Sequence, residues 1–307
     1  MNILIAGLGS IGRKHLSALK TAAPEACVYA LRSSGSSPAV DGVSSIMSVG
    51  ELGGVHIDFC ILSTPTAIHL DTFRQLLALK CPILVEKPLS HLLSEASEMA
   101  RLADESGVTT YVGCNLRFLG CLRYVREHLH RPGHRINEVN AYCGSYLPEW
   151  RPGCDFRKVY SANANLGGGV HIDLIHEIDY ICWMFGLPAT YSRTIRSSSS
   201  LEIDAPDYAC YCLDYPGFCA SVILNYYRRD PRRTLEIVWD DDTWLIDLIS
   251  NTVSSALSGK TLYESPLGIA DTMDEQMKYM IELTQTGNKS TNSCSDALEI
   301  LKICLDK

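Results

Sequence analysis

No apolar run in this 307-residue chain approaches the ~20 residues that a membrane-spanning helix needs. The opening, MNILIAGLGSIG, lacks a charged leading region and runs straight into a glycine turn, so it does not read as a secretory signal. No Cys-x-x-Cys pair occurs among the 13 cysteines, whose odd number is spread from Cys27 to Cys304. A secreted disulfide framework is usually short and evenly paired, so reduced, mostly buried thiols in a cytoplasmic protein are expected. Cys210 and Cys212 share one face of an expected strand, but no second ligand pair stands at zinc spacing, so no metal is expected. Basic residues are the minority, with Lys+Arg 27 against Asp+Glu 35 and a net charge of −8. That balance excludes a general nucleic-acid binder, which needs a basic face. Any anionic ligand must be held by local geometry. What is present is an ordinary globular composition, 46% hydrophobic and 20% charged, in a length that implies about two domains.

The first 120 residues alternate short apolar runs with helical patterns. Ile3–Ala6, Ala26–Leu31, Phe59–Ser63, Ile83–Val85 and Thr109–Val112 read as strands. His15–Ala22, Ile68–Leu79 and Ser94–Ser106 read as helices. Alternation of this kind means βαβ units with right-handed crossovers, hence a doubly wound parallel sheet. After about Gly120 the pattern changes. A helix at Arg123–His130 and a strand at Val139–Tyr146 precede the irregular stretch Leu147–Asn165. Gly167–Gly169 opens a helix running to about Phe185. Apolar runs at Tyr208–Asp214, Ala220–Tyr227, Thr234–Trp239 and Trp244–Leu248 follow without long helices between them, which predicts a mainly antiparallel sheet. Helices at about Asp274–Thr286 and Ser295–Leu305 close the chain, and the last is expected to pack back on the first domain. Domains at 1–120 and 121–307 are therefore expected.

Gly7-Leu-Gly9-Ser10-Ile11-Gly12 follows the first strand and precedes a helix, the context that gives a G-x-G-x-x-G its meaning. Gly7 permits the tight turn, Gly9 the close approach of a pyrophosphate, and Gly12 the packing of helix on strand. The helix N-terminus presents N–H groups to the phosphates, which is how an acidic chain can hold a polyanion. The end of the second strand carries no acid to hold a ribose diol. It reads Arg32-Ser33-Ser34, a cation and two hydroxyls suited to a 2′-phosphate, so NADP(H) is favoured over NAD(H).

Further residues join that loop. Ser63-Thr64-Pro65 with His69, then Glu86-Lys87-Pro88, then Gly168-Gly169 leading to Asp173, His176 and Asp179, together resemble the Gfo/Idh/MocA family of NAD(P)-dependent oxidoreductases over nearly the whole chain. The resemblance implies a Rossmann domain, then an α/β substrate-binding and oligomerisation domain with an open, mainly antiparallel sheet. It also implies a sugar, cyclitol or related substrate, and a homodimer or homotetramer formed through that sheet. It places cofactor contacts at the glycine loop, Arg32, Ser33, Ser34, Ser63, Thr64, Pro65, His69, Glu86, Lys87 and Asn115. The family lysine carries over to Lys87 and the helix histidine to His176. The aspartate, commonly four residues before that histidine, is here three before, at Asp173, because Ile172 holds the other position. The stretch from Tyr146 to Tyr180 looks like a subgroup linked to bacterial surface-sugar metabolism.

Hydride transfer to or from a carbonyl carbon requires one proton to be handled at its oxygen. Lys87 and His176 can both do this, with His176 as donor or acceptor and Lys87 as oxygen ligand, or the reverse. Asp173 can orient His176 from one helical turn away. Arg117 suits a substrate carboxylate or phosphate, and Trp150 and Tyr160 can stack on a sugar ring. The run Arg228, Arg229, Arg232, Arg233 reads as a solvated turn or a patch for phosphate or a partner subunit. Two other functions are open to such a chain: a dinucleotide-binding redox sensor without turnover, and transient oxidation by a tightly held cofactor, as in glycoside cleavage.

Overall fold

The computed structural model describes residues 1–34 and 38–305. Of these, Met1–Asn115 together with Met273–Lys307 form one compact unit, and Leu116–Thr272 form a second. The first boundary thus falls after Asn115 rather than at 120, and the chain re-enters the first unit at Met273.

The first unit begins with β1 (Asn2–Ala6), α1 (Ser10–Ala22), β2 (Cys27–Leu31), β3 (Val43–Ile46) and β4 (Phe59–Leu62). It continues with α2 (His69–Leu77), β5 (Ile83–Val85), α3 (Leu93–Ser106) and β6 (Thr110–Val112). The strands form one sheet in the order β3-β2-β1-β4-β5-β6, every pairing parallel. Every residue of β4, β5 and β6 is buried, as a sheet covered on both faces requires. Strand order reverses between β1 and β4, so the chain ends that follow these two strands meet at the switch point of the sheet. β3 escapes the apolar-run reading because Ser44 and Ser45 lie exposed at the edge.

The second unit holds α4 (Gly120–Glu127), β7 (Ile136–Tyr146), a stretch of short 3-10 turns, α5 (Val170–Asp173) and α6 (His176–Phe185). Seven strands follow: β8 (Thr190–Arg196), β9 (Tyr208–Tyr215), β10 (Phe218–Asn225), β11 (Tyr227–Trp239), β12 (Thr243–Asp247), β13 (Thr252–Ser255) and β14 (Thr261–Glu264). The eight-stranded order is β14-β13-β12-β11-β7-β10-β9-β8, antiparallel except for β7 with β10. Ala209, Tyr211 and Leu213 of β9 and Ala220, Val222 and Leu224 of β10 point to the buried face, on which α5 and α6 pack. Cys212 and Asp214 alternate to the exposed face.

Two readings of the second unit need correction. The helix expected from Gly169 to Phe185 is broken at Leu174 and Ile175, which splits it into α5 and α6. The arginine run 228–233 is not a free turn. It lies within β11, at a register irregularity between Tyr227 and Arg232. After Met273 the chain returns with α7 (Thr272–Thr286) and α8 (Cys294–Leu305), and α8 packs on α3. No helix among the described residues is long and apolar enough to cross a membrane. None of the 13 cysteines, all among the described residues, is joined in a disulfide.

Candidate active site

In the first unit the chain leaves β1 through Gly7, whose φ of +90° is a glycine conformation. A Cβ there would also lie 2.8 Å from the carbonyl oxygen of Ser63. A Cβ on Gly12 would lie 2.0 Å from the Gly7 carbonyl, so helix and turn touch only because both residues lack one. Gly9 caps α1 and has nothing within 4 Å of its ideal Cβ, which leaves its backbone open to a ligand. The first helical bond runs from the Arg13 N–H to the Gly9 carbonyl. The N–H groups of Ser10, Ile11 and Gly12 therefore precede the ladder and have no acceptor within the helix. This is the cradle that a dinucleotide pyrophosphate needs, at the positive end of a helix.

The ends of β4 and β5 brace the cradle. Ser63 Oγ sits 2.8 Å from the Gly7 carbonyl and 3.2 Å from that of Ala6. Ser63 thus secures the loop from beneath. His69 is buried, with Nε2 3.0 Å from the Thr64 carbonyl and Nδ1 3.1 Å from that of Leu89. Its ring ties the Ser63-Thr64-Pro65 turn to the segment after Pro88. Burial pushes its pKa down, against the opposing pull of those two carbonyls. Arg32 donates from Nη2 to the Pro38 carbonyl at 3.2 Å, beside exposed Ser33 and Ser34. Glu86 is buried and Lys87 half-buried, at the end of β5. Asn115 is half-buried at the last position before the second unit.

In the second unit Asp173 ends α5 and His176 begins α6, both buried. Asp173 accepts two tyrosine hydroxyls, from Tyr160 at Oδ1 and from Tyr226 at Oδ2, each at 2.5 Å. Tyr226 is fully buried, whereas the Tyr160 ring is half-exposed with its hydroxyl end turned inward. Burial raises both phenol pKa values, and the Asp173 charge raises them further, so both stay protonated as donors. Trp150 meets Tyr226 edge-on, with ring centroids 5.2 Å apart, and donates from Nε1 to Ser145 Oγ. The Arg151 guanidinium lies over the Tyr160 ring at 5.7 Å. A carboxylate, two phenols and an indole thus converge at the end of α5, three residues before His176.

Arg117, expected to hold a substrate anion, donates from Nε and Nη2 to the two carboxylate oxygens of Asp179 of α6, at 2.9 and 2.7 Å, and both side chains are buried. This pair fixes the helix that carries His176. Glu177 and Arg233 fix it from the sheet side, 2.5 Å apart. Arg228 bonds Asp230, and Arg229 lies over the Tyr146 ring. Sequence reasoning missed His15, Tyr226 and the Glu177–Arg233 pair as parts of these sites. His15 carried a signal, since it stands one turn beyond Gly12 on the packed face of α1. Tyr226 carried none, because a tyrosine ending an alternating run reads as core.

Residues 1–114 match the model of the GFO/IDH/MocA group, described as "Oxidoreductase family, NAD-binding Rossmann fold". The chain is 27% identical over 201 residues to the rhizopine catabolism protein MocA of Rhizobium meliloti, covering 64% of this chain and 61% of that protein. It is 24% identical over 160 residues to scyllo-inositol 2-dehydrogenase (NADP(+)) IolW of Bacillus subtilis (strain 168), covering 52% and 43%. The matched stretches thus span about half the length of these curated relatives. UDP-N-acetylglucosamine 3-dehydrogenase GnnA from Acidithiobacillus ferrooxidans superposes with a TM-score of 0.79 at 17% identity, over 99% of this chain and 95% of that one. At that identity the likeness speaks for the fold. Residues 1–114 thus match the family's Rossmann region, the curated relatives share about a quarter of their residues with the chain over the matched stretches, and the two-sheet architecture is that of GnnA; the chain is similar to Gfo/Idh/MocA oxidoreductases in its first region and in its fold.

Proposed function

We propose that the protein transfers a hydride between NADP(H), or less favourably NAD(H), and a hydroxyl or ketone carbon of a sugar, cyclitol or sugar derivative. The observation that carries this reading is in the first unit. A phosphate cradle after β1 and a half-buried lysine after β5 stand at the same edge of one parallel sheet, where such sheets bind ligands. The dinucleotide, when bound, supplies the hydride chemistry. The protein's task is to place the substrate oxygen and move one proton. Lys87 offers an ammonium as hydrogen-bond donor to that oxygen, and His176 offers a ring nitrogen as donor or acceptor of the proton. Asp173, clamped by Tyr160 and Tyr226, is a fixed carboxylate three residues before His176, across the break between α5 and α6. The exposed faces of Trp150 and Tyr160 suit the apolar side of a sugar ring.

Arg32 at the end of β2, with no acid beside it, supports a 2′-phosphate. The likeness to a nucleotide-sugar dehydrogenase and an inositol dehydrogenase supports polyhydroxylated substrates, with amino sugars, sugar acids and nucleotide-linked sugars as the first classes to try. The reading includes assembly as a homodimer or homotetramer through the exposed face of the second sheet. The test is to follow NADPH consumption and NADP⁺ reduction over amino sugars, uronic acids, inositols and nucleotide-linked sugars. Turnover with at least one class, and tighter binding of NADPH than NADH, are expected. Folded, dinucleotide-binding protein that turns over none of them overturns the reading. Tighter NADH binding overturns the NADP(H) preference.

A further inference from the structure

His15 is fully buried on α1, three residues beyond the last glycine of the cradle. Its Nε2 lies 2.5 Å from Glu86 Oε1. An ionised carboxylate has only lone pairs to offer, so the imidazole N–H donates. The other oxygen of the same carboxylate, Oε2, accepts the backbone N–H of Lys87 at 3.2 Å. A continuous hydrogen-bonded chain therefore runs from α1, through one buried carboxylate, to the backbone of Lys87.

The carboxylate is confined on its other side as well. A Cβ on Gly113 would lie 3.3 Å from Glu86 Oε1 and 3.5 Å from Gln276 Nε2. The bare Cα of Gly113 thus makes room for the Glu86 side chain between the end of β6 and α7. Burying a carboxylate is costly unless its lone pairs are satisfied, so a pair placed here demands a reason beyond packing. A hydrophobic contact would hold α1 on the sheet at least as well. What it would lack is an acceptor with a fixed direction behind the Lys87 amide.

We infer that His15 is a positioning residue: it aims Glu86, Glu86 fixes the Lys87 backbone, and the orientation of the Lys87 ammonium is thereby tied to the helix that begins the phosphate cradle. The inference rests on the role given to Lys87 above, and it deepens that role. Its consequence is that the two functional loops of the first unit are one mechanical element. A disturbance of α1 at His15 reaches the Lys87 backbone through one side chain, that of Glu86. In that case a change confined to His15, which itself touches no substrate in the proposed reaction, alters Lys87.

The experiment compares His15→Leu, which removes the donor, with His15→Gln, which keeps an N–H at similar reach. An amine-acylating ester is applied to each dinucleotide-free protein. The labelling rate of Lys87 is read by peptide mass spectrometry relative to exposed Lys289 in the same molecule. His15→Leu is expected to change that ratio about threefold or more, and His15→Gln to restore it, on the scale usual for groups that orient a functional residue. With a substrate in hand, His15→Leu should lower kcat by about tenfold and leave KM nearly unchanged. A folded His15→Leu protein with the wild-type labelling ratio overturns the inference, as does a His15→Gln protein that behaves like Leu. If His15→Leu does not fold, Glu86→Gln takes the same measurement, and an unchanged ratio again overturns it. Labelling needs no turnover, so failure of the proposed reaction and failure of this inference are read separately.

Discussion

Asp173 shows how one residue's surroundings narrow its role. A carboxylate with both oxygens accepting from tyrosine hydroxyls is a fixed acceptor, held in place more firmly than a single partner would hold it. On the proposed function, the two groups that move a proton are Lys87, half-buried after β5, and His176, at the start of α6. Their substitution should therefore separate chemistry from folding. Lys87→Ala and His176→Ala are each expected to lower kcat about 100-fold or more, the usual scale for a general acid or base. Circular dichroism and NADPH affinity should stay close to wild type for His176→Ala. Turnover within about threefold of wild type in a folded variant removes that residue from the mechanism. Arg117 belongs to a different class. Removing it strands a buried Asp179, so loss of activity in Arg117→Ala is expected to come with loss of stability.

At the scale of elements, the glycine pair before α5 decides where Asp173 and Tyr160 meet. A Cβ on Gly168 would lie 2.0 Å from the Tyr160 carbonyl oxygen. Gly169 has φ +141°, and its Cβ would lie 2.6 Å from the His171 ring. Gly168→Ala and Gly169→Ala should each destabilise the protein by about 1–3 kcal/mol, read as a lowered urea midpoint with unchanged slope. Midpoints equal to wild type would show that the turn has room to relax. These glycines were legible in the sequence, because Gly-Gly before an apolar helix asks for a backbone close to its neighbours. The parallel sheet was legible for a similar reason, since β1, β4, β5 and β6 are buried apolar runs between helices. The edge strands were not. β8 reads Thr-Tyr-Ser-Arg-Thr-Ile-Arg and is mostly exposed, so it carries no apolar signature. The break between α5 and α6 falls in an apolar Leu174-Ile175 step that looks like helix interior. Partners far apart in sequence were illegible altogether. His15 finds Glu86 71 residues away and Asp173 finds Tyr226 53 residues away, and no local spacing encodes either contact.

For the molecule as a whole, the acid limit of stability is set in part by histidines whose burial disfavours protonation. His171, on α5, is held down to about 4, chiefly by burial and then by the charge of Arg193, with Asp173 opposing. His69, in the other unit, is pushed the same way by burial. In the unfolded chain a histidine takes its proton near pH ~6.5. Between there and pH 4 the unfolded state binds a proton that the folded His171 refuses. Protonation then favours unfolding, so stability is full above about pH 6.5 and falls as pH drops towards 4. His171 alone should cost about 2 kcal/mol between pH 7.5 and pH 4.5. His171→Phe keeps a ring in the site and removes the titration. Other groups titrate alike in both proteins, so they cancel to first order in the difference between wild type and variant. Urea unfolding across that pH range should show the wild type losing stability relative to His171→Phe as the solution is acidified. Two stability curves that run parallel from pH 7.5 to pH 4.5 would mean that the folded protein does not hold His171 in its neutral form.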